Sequence, residues 1–400
     1  MFQGAKAGCT RQAQASFFEA CNRRLGRGAK GAGTAGVWIG GRVSPLIASA
    51  LFRRSNGAAS LCSDSSVLIG EKMELQAVVE RDGAQPAAER RATRRAPIDL
   101  RANLTLLGLV ASAVLVQLFA WPFLLRQWGA PALWVAVPLV LLTPTHWGLI
   151  HESIHGQLVP QRRLNEWLGR LFAIAFALPY DAVRFGHLMH HRFTRESFDR
   201  PDVHDGVTHH LFARVSYYAH LLGGLYLAEL ALPLLAFLPA TWGRRLVAHK
   251  LRSDEPIGRD VQRLFVAFAG NPERRSHIRR DWMLSVTLHA CAFYFYGAWW
   301  PVLAITMFLR GLWLSLADNL PHYDVTLDEQ QRARNFRAPA IWRPVLMNHH
   351  LHRLHHQHPT LPWTALPALA RAGTTASVPD ANTGYFSAAL RQFRGFGKVR

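Results

Sequence analysis

Two long runs without charged residues constrain what this chain can fold into. Residues 103–125 and 130–150 contain no Lys, Arg, Asp or Glu, and only a short link that begins at Arg126 separates them. As an α-helix, the first run is about 34 Å long, which is enough to cross a bilayer. The two runs therefore predict a helical hairpin in an all-α, polytopic integral membrane protein.

Two more apolar regions follow, residues 215–240 and 282–320, and the second is interrupted at Trp299-Trp300-Pro301. The loop between them, residues 241–281, carries ten Lys or Arg and five Asp or Glu. Because basic loops favour the cytoplasmic side, we expect 215–240 to dip into the membrane or lie along it, and 282–320 to form a second hairpin. In the alternative topology each region crosses once and the basic loop lies outside. Either topology returns the histidine motifs described below to the cytoplasmic side.

The two ends of the chain differ from its middle. The first 60 residues contain nine Lys or Arg and one acidic residue, Glu19. Such a segment buries too little apolar surface to offset its ordering entropy, so we predict a disordered basic extension over 1–100, with Met73 as an alternative start. The predicted membrane domain covers 101–370, and 371–400 form a C-terminal tail.

Histidines are concentrated in three short motifs, each just beyond an apolar segment. The motifs are His151-Glu-Ser-Ile-His155, His187-Leu-Met-His190-His191 and His352-Arg-Leu-His355-His356. The first places two imidazoles on one helix face, and the others place a pair three residues apart beside a third ring. Donor sets made almost entirely of imidazole suit Fe, Zn or Cu better than Mg or Ca, and eight ligands are too many for one ion but suit two. The motifs therefore predict a metal site with two ions.

Three polar residues near these motifs are further candidates. His322 follows Asp318 by four residues at the end of the last apolar region, and it is a ninth candidate ligand. Asp318 is a candidate for direct or water-bridged metal binding. Asn348 precedes the third motif and is placed to hydrogen-bond the second ring nitrogen of a ligand. Two irons hold two electrons, enough to cleave O2 to an oxidant that attacks an unactivated C–H bond, and beside a membrane that oxidant would meet lipid chains.

The order HxxxH, HxxHH, HxxHH with apolar hairpins between resembles the membrane-bound fatty acid desaturase superfamily. The resemblance covers about residues 103–370 and includes Asp199-Arg-Pro-Asp202 and Leu361-Pro362-Trp363 after the second and third motifs. It implies an O2-dependent oxidoreductase with two iron ions, in which Asp318 stands where some members have an Asn that acts through water. The iron ligands that it implies are His151, His155, His187, His190, His191, His322, His352, His355 and His356.

The resemblance implies a fatty acyl (lipid) desaturase that introduces a C=C bond. The residues after the first and third motifs are also similar to carotenoid ketolases and hydroxylases, so a hydroxylase or ketolase acting on a carotenoid or other lipid is the alternative. A membrane metal transporter or receptor is an alternative of a different class. Transporters bind ions near the bilayer midplane, whereas these motifs lie at helix ends, so we favour the enzyme.

Partners and location follow from charge and from missing motifs. The sequence has no CxH and CxxH Rieske pair and no HPGG haem motif, so we expect an external ferredoxin-like electron donor. Arginines of the basic loop are candidates for binding an acidic carrier, or for fixing topology at the headgroups; they are Arg244, Arg245, Arg274, Arg275, Arg279 and Arg280. The basic residues that give the chain its net charge of +20 flank the predicted membrane spans and form no patch interleaved with aromatic residues, so we expect no nucleic-acid partner. The Arg- and Ala-rich composition favours a bacterial inner (plasma) membrane protein whose histidine motifs face the cytoplasm.

Overall fold

The computed structural model describes residues 96–203, 209–325, 332–372 and 383–395. About 76% is helical and the described part contains no strand, which confirms the predicted all-α class. Four segments are long and apolar enough to cross a membrane, which confirms the polytopic membrane fold; they are Leu100–Trp128, Ala130–Ile154, His210–Ala236 and Pro272–Asn319. Residues 1–95 of the extension predicted over 1–100, including Met73, lie outside the described residues. The predicted domain limits stay predictions.

The first hairpin forms as expected. Its elements in chain order are α1 (Leu100–Leu115), a π turn (Val116–Ala120), α2 (Trp121–Trp128), a 3-10 turn (Ala130–Val135), α3 (Ala136–Leu141) and α4 (Thr143–Ile154). Gly129 ends α2 at φ 63°, a backbone conformation that a residue without a Cβ adopts at little cost. The hairpin carries the first histidine motif at the end of α4.

The third apolar segment is kinked. It consists of α7 (His210–Ala219), a π turn (His220–Gly224), α8 (Leu225–Ala231) and a 3-10 turn (Leu232–Ala236). Gly223, at φ 106°, interrupts the helix, and each half is shorter than the ~20 residues that one straight crossing needs. The kink favours the topology in which this segment dips into the membrane, while the side on which the loops lie stays a prediction.

The last apolar region is a second hairpin. The elements from the basic loop onward are α9 (Ala240–Lys250), α10 (Pro256–Gly270), α11 (Pro272–Tyr296), a 3-10 turn (Gly297–Trp299) and α12 (Trp300–Asn319). Gly297 makes the turn at φ 52°, next to the expected break. Ala292 of α11 and Leu303 of α12 share one buried cluster, so the two helices fold back on each other.

Arg275 of the basic loop is buried, although the sequence made it a candidate for binding an acidic carrier or lipid headgroups. Arg275 is only 7% exposed, because its guanidinium donates to the carbonyl oxygens of Ala236, Leu235 and Leu238. These carbonyls are left without helical partners at the end of the third apolar segment. Arg275 therefore satisfies backbone groups and is not available to an electron carrier.

A helical cap completes the described chain. The cap consists of α5 (Arg162–Ala175), α6 (Tyr180–Phe193), α13 (Trp342–Val345), a 3-10 turn (His349–Leu351), α14 (His352–Gln357), α15 (Leu366–Arg371), α16 (Tyr385–Arg391) and a 3-10 turn (Gln392–Arg394). The last two belong to the region predicted as a tail. Tyr385 is buried with Leu320 and Phe336, and Asn319 donates to the Gln392 side chain at 2.6 Å. This segment is therefore packed on the end of α12.

Trp363 makes three buried hydrogen bonds, two of which join the cap to the first hairpin. Its backbone N–H donates to Glu152 at 3.1 Å, and its indole N–H donates to Asn103 at 2.9 Å. Its carbonyl oxygen accepts from the Asn348 side chain at 3.0 Å. Each of these groups is buried, so each bond satisfies atoms that would otherwise be costly to desolvate. The segment after the third motif is thereby fixed to the helix of the first.

Helices α4 and α5 approach closely at Gly169. A Cβ on this residue would lie 2.5 Å from Ser153 Cβ and 2.8 Å from the Tyr180 ring. The main core, which includes Leu107, Ile150 and Phe172, surrounds this contact. A side chain at position 169 would therefore push α5 away from the helix of the first motif.

We expect Gly169→Ala to lower the free energy of unfolding by about 1–3 kcal/mol, because the added methyl group overpacks the contact between α4 and α5. Thermal unfolding of the purified protein in detergent measures this loss as a lower Tm. Gly108→Ala is the matched control, since an added Cβ there meets no atom within 4 Å. An unchanged Tm for Gly169→Ala would contradict the close packing.

Candidate metal centre

The structure brings the nine predicted histidines together in two clusters. Within each cluster the candidate ligand nitrogens all lie within 4.8 Å of one another. The five-histidine cluster consists of His151, His155, His187, His191 and His355. The four-histidine cluster consists of His190, His322, His352 and His356.

Helix geometry assigns neighbouring histidines to different clusters. His187 and His191 of α6 are four residues apart, share a helix face and enter the five-histidine cluster, whereas His190 points to the other cluster. In α14 the pair four residues apart, His352 and His356, enters the four-histidine cluster. Each HxxHH motif thus contributes to both clusters, which places the two sites side by side.

Short distances between Nε2 atoms run through the five-histidine cluster. Successive pairs lie 3.0 Å apart in the order His151, His355, His191, His187, His155. A neutral ring nitrogen holds either one hydrogen or one lone pair, so a chain in which each Nε2 accepts from one neighbour and donates to the next is impossible. An ion about 2.1 Å from two nitrogens at a right angle holds them about 3.0 Å apart. The spacing therefore fits neighbouring ligands of one metal ion.

The four-histidine cluster has the same features. His356 Nε2 lies 3.0 Å from His352 Nε2 and 3.3 Å from His190 Nε2. His322 Nε2 is buried, and no described protein atom hydrogen-bonds it. A buried lone pair without a protein partner, beside three further imidazole nitrogens, fits a metal ligand.

Hydrogen bonds to the opposite ring nitrogens orient the second cluster. His190 Nδ1 lies 2.9 Å from the Asp199 carboxylate, and His322 Nδ1 lies 2.8 Å from the carbonyl oxygen of Arg332. Both acceptors hold the ring proton on Nδ1 and leave Nε2 to face the cluster. Such a partner is usual for a metal-bound histidine.

Burial sets the protonation of most of these rings. It lowers the pKa of His155, His187 and His191 well below the ordinary histidine value, and neighbouring imidazoles lower it further. His190 differs, because burial lowers its pKa but the Asp199 carboxylate raises it more, to about 9. Neutral imidazole is the form that coordinates metals, and metal binding at His190 would release the Nε2 proton.

A buried carboxylate fixes the helix of the second motif. Asp181, in the first turn of α6, accepts from Arg170 at 2.7 Å, from His277 at 2.9 Å and from Arg274 at 3.2 Å. Arg170 also pairs with the buried Asp281 of α11. Burial by itself would raise the pKa of Asp181, but Arg170 and Arg274 lower it below its ordinary value. This network ties α6 to α5 and α11, and so positions its three histidines.

Both clusters open into one pocket of about 770 Å³, its mouth included. His151, His187 and His355 of the five-histidine cluster and His190 and His352 of the four-histidine cluster line it. The other lining residues are mostly apolar or aromatic, and include Trp147, Trp313, Leu314, Leu346, Met347 and Trp363. An apolar molecule in this pocket would therefore contact both histidine clusters.

The two other predicted site residues lie at the wall of this pocket. Asp318 lines it without belonging to either cluster. Asn348 adopts a left-handed conformation at φ 57°, lines the pocket and donates to Trp363. Their contribution to cofactor binding stays a prediction.

Comparison with known proteins decides the family. The family model described as fatty acid desaturase matches residues 126–389, which is well over half of the chain. The chain belongs to the fatty acid desaturase family. A β-carotene ketolase from Paracoccus sp. (strain N81106 / MBIC 01143) is 25% identical over 254 residues, covering 61% of this chain and 78% of that protein. This desaturase-family protein is therefore a membrane-bound oxidoreductase, and its family implies a di-iron centre.

Several residues of the site were not assigned a role from the sequence. Asp199 carried a signal, since it is the acidic residue that follows the second motif. Glu152 lies inside the first motif, and it reaches Trp363 and comes within 3.5 Å of His151 Nδ1. His349 lines the pocket, and its Nδ1 lies 3.1 Å from the Tyr385 hydroxyl. Nothing in the sequence distinguishes His349 from its neighbour His350.

We expect Asp181→Asn to lower the free energy of unfolding of this family member by about 3 kcal/mol at neutral pH, because the buried guanidinium of Arg170 and the half-buried one of Arg274 lose a carboxylate. A carboxyl group whose pKa is lowered on folding stabilises the folded state at pH values above its pKa in the unfolded chain, which is about 3.9. This contribution is lost as the pH falls through the lowered pKa of the folded state. The Tm difference from wild type should therefore persist at pH 7 and shrink as the pH falls below the unfolded value of about 3.9.

Asp260→Asn is the control, since the ion pair that Asp260 forms within the described residues, with Arg263, is exposed. We expect it to leave the Tm unchanged. A Tm difference for Asp181→Asn that grows in acid would contradict the argument.

Proposed function

We propose that the two histidine clusters hold two iron ions, one in each cluster, as the centre of an O2-dependent oxidoreductase. The donor set supports this, because imidazole suits iron and both clusters have converging Nε2 atoms. When bound, the iron pair would supply the reduction of O2 that oxidises a C–H bond. The nine histidines would hold the metal, and Asp199 and the Arg332 carbonyl group would keep two of the rings in place.

The first candidate reaction is the desaturation of a fatty acyl chain of a lipid. The observation that carries it is that histidines of both clusters line one pocket with apolar walls. An acyl chain entering from the bilayer would lie between Trp147, Trp313 and Leu314, with its methylene groups beside the histidines. These walls exclude water and orient the chain.

The reaction needs electrons from outside the chain. Two neighbouring methylene groups each lose one hydrogen and form a C=C bond, while O2 takes up these two hydrogens, two further electrons and two protons to give two waters. We assign the two further electrons to an external ferredoxin-like donor. Exposed arginines beside the cap, Arg244, Arg245, Arg279 and Arg280, suit an acidic carrier. In this proposal the protein lies in a bacterial inner membrane, and its cap and histidines face the cytoplasm, where such carriers are found.

The second candidate is hydroxylation or ketolation of a carotenoid or another lipid. The match to a β-carotene ketolase favours it. Conversion of a methylene group to a ketone consumes two O2, four electrons and four protons, and releases three waters. The two candidates need the same clusters and an apolar pocket, and they differ in whether oxygen is retained in the product.

The first test is the iron content. Wild-type protein loaded with ferrous iron should hold two ions per chain by mass spectrometry of the metal. His322→Ala and His155→Ala each remove a ligand from a different cluster, so each should reduce the content toward one ion, since a lost ligand weakens binding at least 10–100-fold. His209→Ala, an exposed histidine outside both clusters, should retain two ions. Two ions in both cluster variants would overturn the assignment of ligands.

The second test is a lipid profile by mass spectrometry of hosts expressing the full chain, with and without a carotenoid pathway. Acyl chains that lose two hydrogens only with active protein would establish a desaturase. A carotenoid or other lipid that gains oxygen would establish the second candidate. His355→Ala should abolish either change while leaving membrane insertion intact, and His209→Ala should preserve it. A His355→Ala protein as active as wild type would overturn the proposed site.

A further inference from the structure

An arginine lies deep within the membrane hairpin formed by α11 and α12. Arg310 is ten residues beyond the start of α12, about 15 Å along the helix axis, and it is only 7% exposed. Its place in an apolar span long enough to cross the bilayer puts the charge far from either membrane surface. Charged side chains at such depth are costly and are usually paired.

The described protein partners of Arg310 are all neutral. Its Nη1 donates to the Gln117 side-chain oxygen at 2.5 Å, and its Nη2 donates to His146 Nδ1 at 2.6 Å. His146 Nε2 in turn donates to the carbonyl oxygen of Phe172 at 2.9 Å, so this ring is the neutral tautomer. The guanidinium also lies over the Phe176 ring, 4.7 Å from its centroid. No carboxylate of the described chain forms an ion pair with Arg310, and no described protein atom accepts from its Nε.

A small cavity lies beside this guanidinium. Its lining includes Arg310, Gln117, Tyr226, His289 and Met307, and it contains no Asp or Glu. The space suffices for about one water-sized particle. Arg310 does not line the large pocket of the histidine clusters, so this cavity is a separate site.

The backbone irregularity of the first hairpin helps to build the site. Gln117 belongs to the π turn between α1 and α2, a feature that is often found at functional positions. Its carbonyl oxygen accepts from the Tyr296 hydroxyl at 2.6 Å, and its side chain, only 2% exposed, turns inward to Arg310. The turn therefore points a polar side chain into the helix bundle from a segment that is otherwise apolar.

We propose that the cavity binds one small monovalent anion, chloride or a similar halide, against the Nε–H of Arg310. A water molecule would satisfy this N–H but leave the buried charge uncompensated. A halide ion accepts the hydrogen bond and also supplies the missing negative charge, which is worth most where water is excluded. The anion would hold α12 against the π turn of the first hairpin. This inference does not depend on the proposed reaction.

The test is thermal unfolding of the full-length protein in detergent, with sodium chloride replaced stepwise by sodium gluconate at constant ionic strength. An anion that binds only the folded state should raise the Tm of wild type by about 2–4 °C in chloride. Arg310→Met should abolish this increment, whatever its own Tm. Arg126→Met is the matched control, since Arg126 is an exposed arginine near the turn of the first hairpin and outside the cavity, and it should keep the increment.

If Arg310→Met does not fold, Gln117→Leu and chloride NMR supply the test. Gln117→Leu keeps the charge but removes the oxygen that orients it, and it should reduce the chloride increment. Wild-type protein should broaden the 35Cl resonance, and excess bromide should reverse the broadening. Equal Tm values in chloride and gluconate without broadening would show that water alone occupies the cavity and would overturn the proposal. So would an Arg310→Met protein that keeps the full increment.

Discussion

The convergence of nine imidazole nitrogens on two points is the constraint on which the rest of this structure depends. Nitrogen lone pairs 3.0 Å apart repel one another unless a cation lies between them, so the protein has to hold the rings together by other contacts. Burial keeps most of these rings neutral, which removes the repulsion between charges. The positions of the rings then depend on the helices that carry the histidines and on the hydrogen bonds between those helices.

Two buried polar networks hold these helices. The carboxylate of Asp181 ties α6 to Arg170 of α5 and to the start of α11. Trp363 ties the segment after the third motif to Glu152 of α4 and Asn103 of α1. Both networks join parts of the chain that are far apart in sequence, and their hydrogen bonds fix direction as well as distance. Apolar packing alone, as around Gly169, sets the distance between helices but does not orient an imidazole ring.

Helix α12 connects the site to the membrane interior. Trp313, Leu314 and Asp318, near its C-terminal end, line the pocket of the histidine clusters, and Arg310, one turn before Trp313, enters the polar group with Gln117 and His146. In a bilayer, polar groups have to be satisfied within the protein, so this contact fixes the rotation of α12 against the first hairpin. The wall of the pocket therefore depends on interactions made deeper in the membrane.

The sequence by itself determined the fold class, the first hairpin and the eight histidines of the motifs, because long uncharged runs have few structural solutions and the HxxxH and HxxHH spacings follow the helical period. It indicated the second hairpin beside an alternative topology, and His322 from its position four residues after Asp318. It did not determine how the nine divide. Only the tertiary structure sends His190 to one cluster and His187 and His191 to the other, since that depends on how α6 is rotated against α14. Nor did sequence distinguish Arg275, which is buried against backbone carbonyls, from its exposed neighbours, or single out His349 in the pocket. Local spacing fixes which side chains share a helix face, but contacts between segments distant in the chain decide which other residues that face packs against.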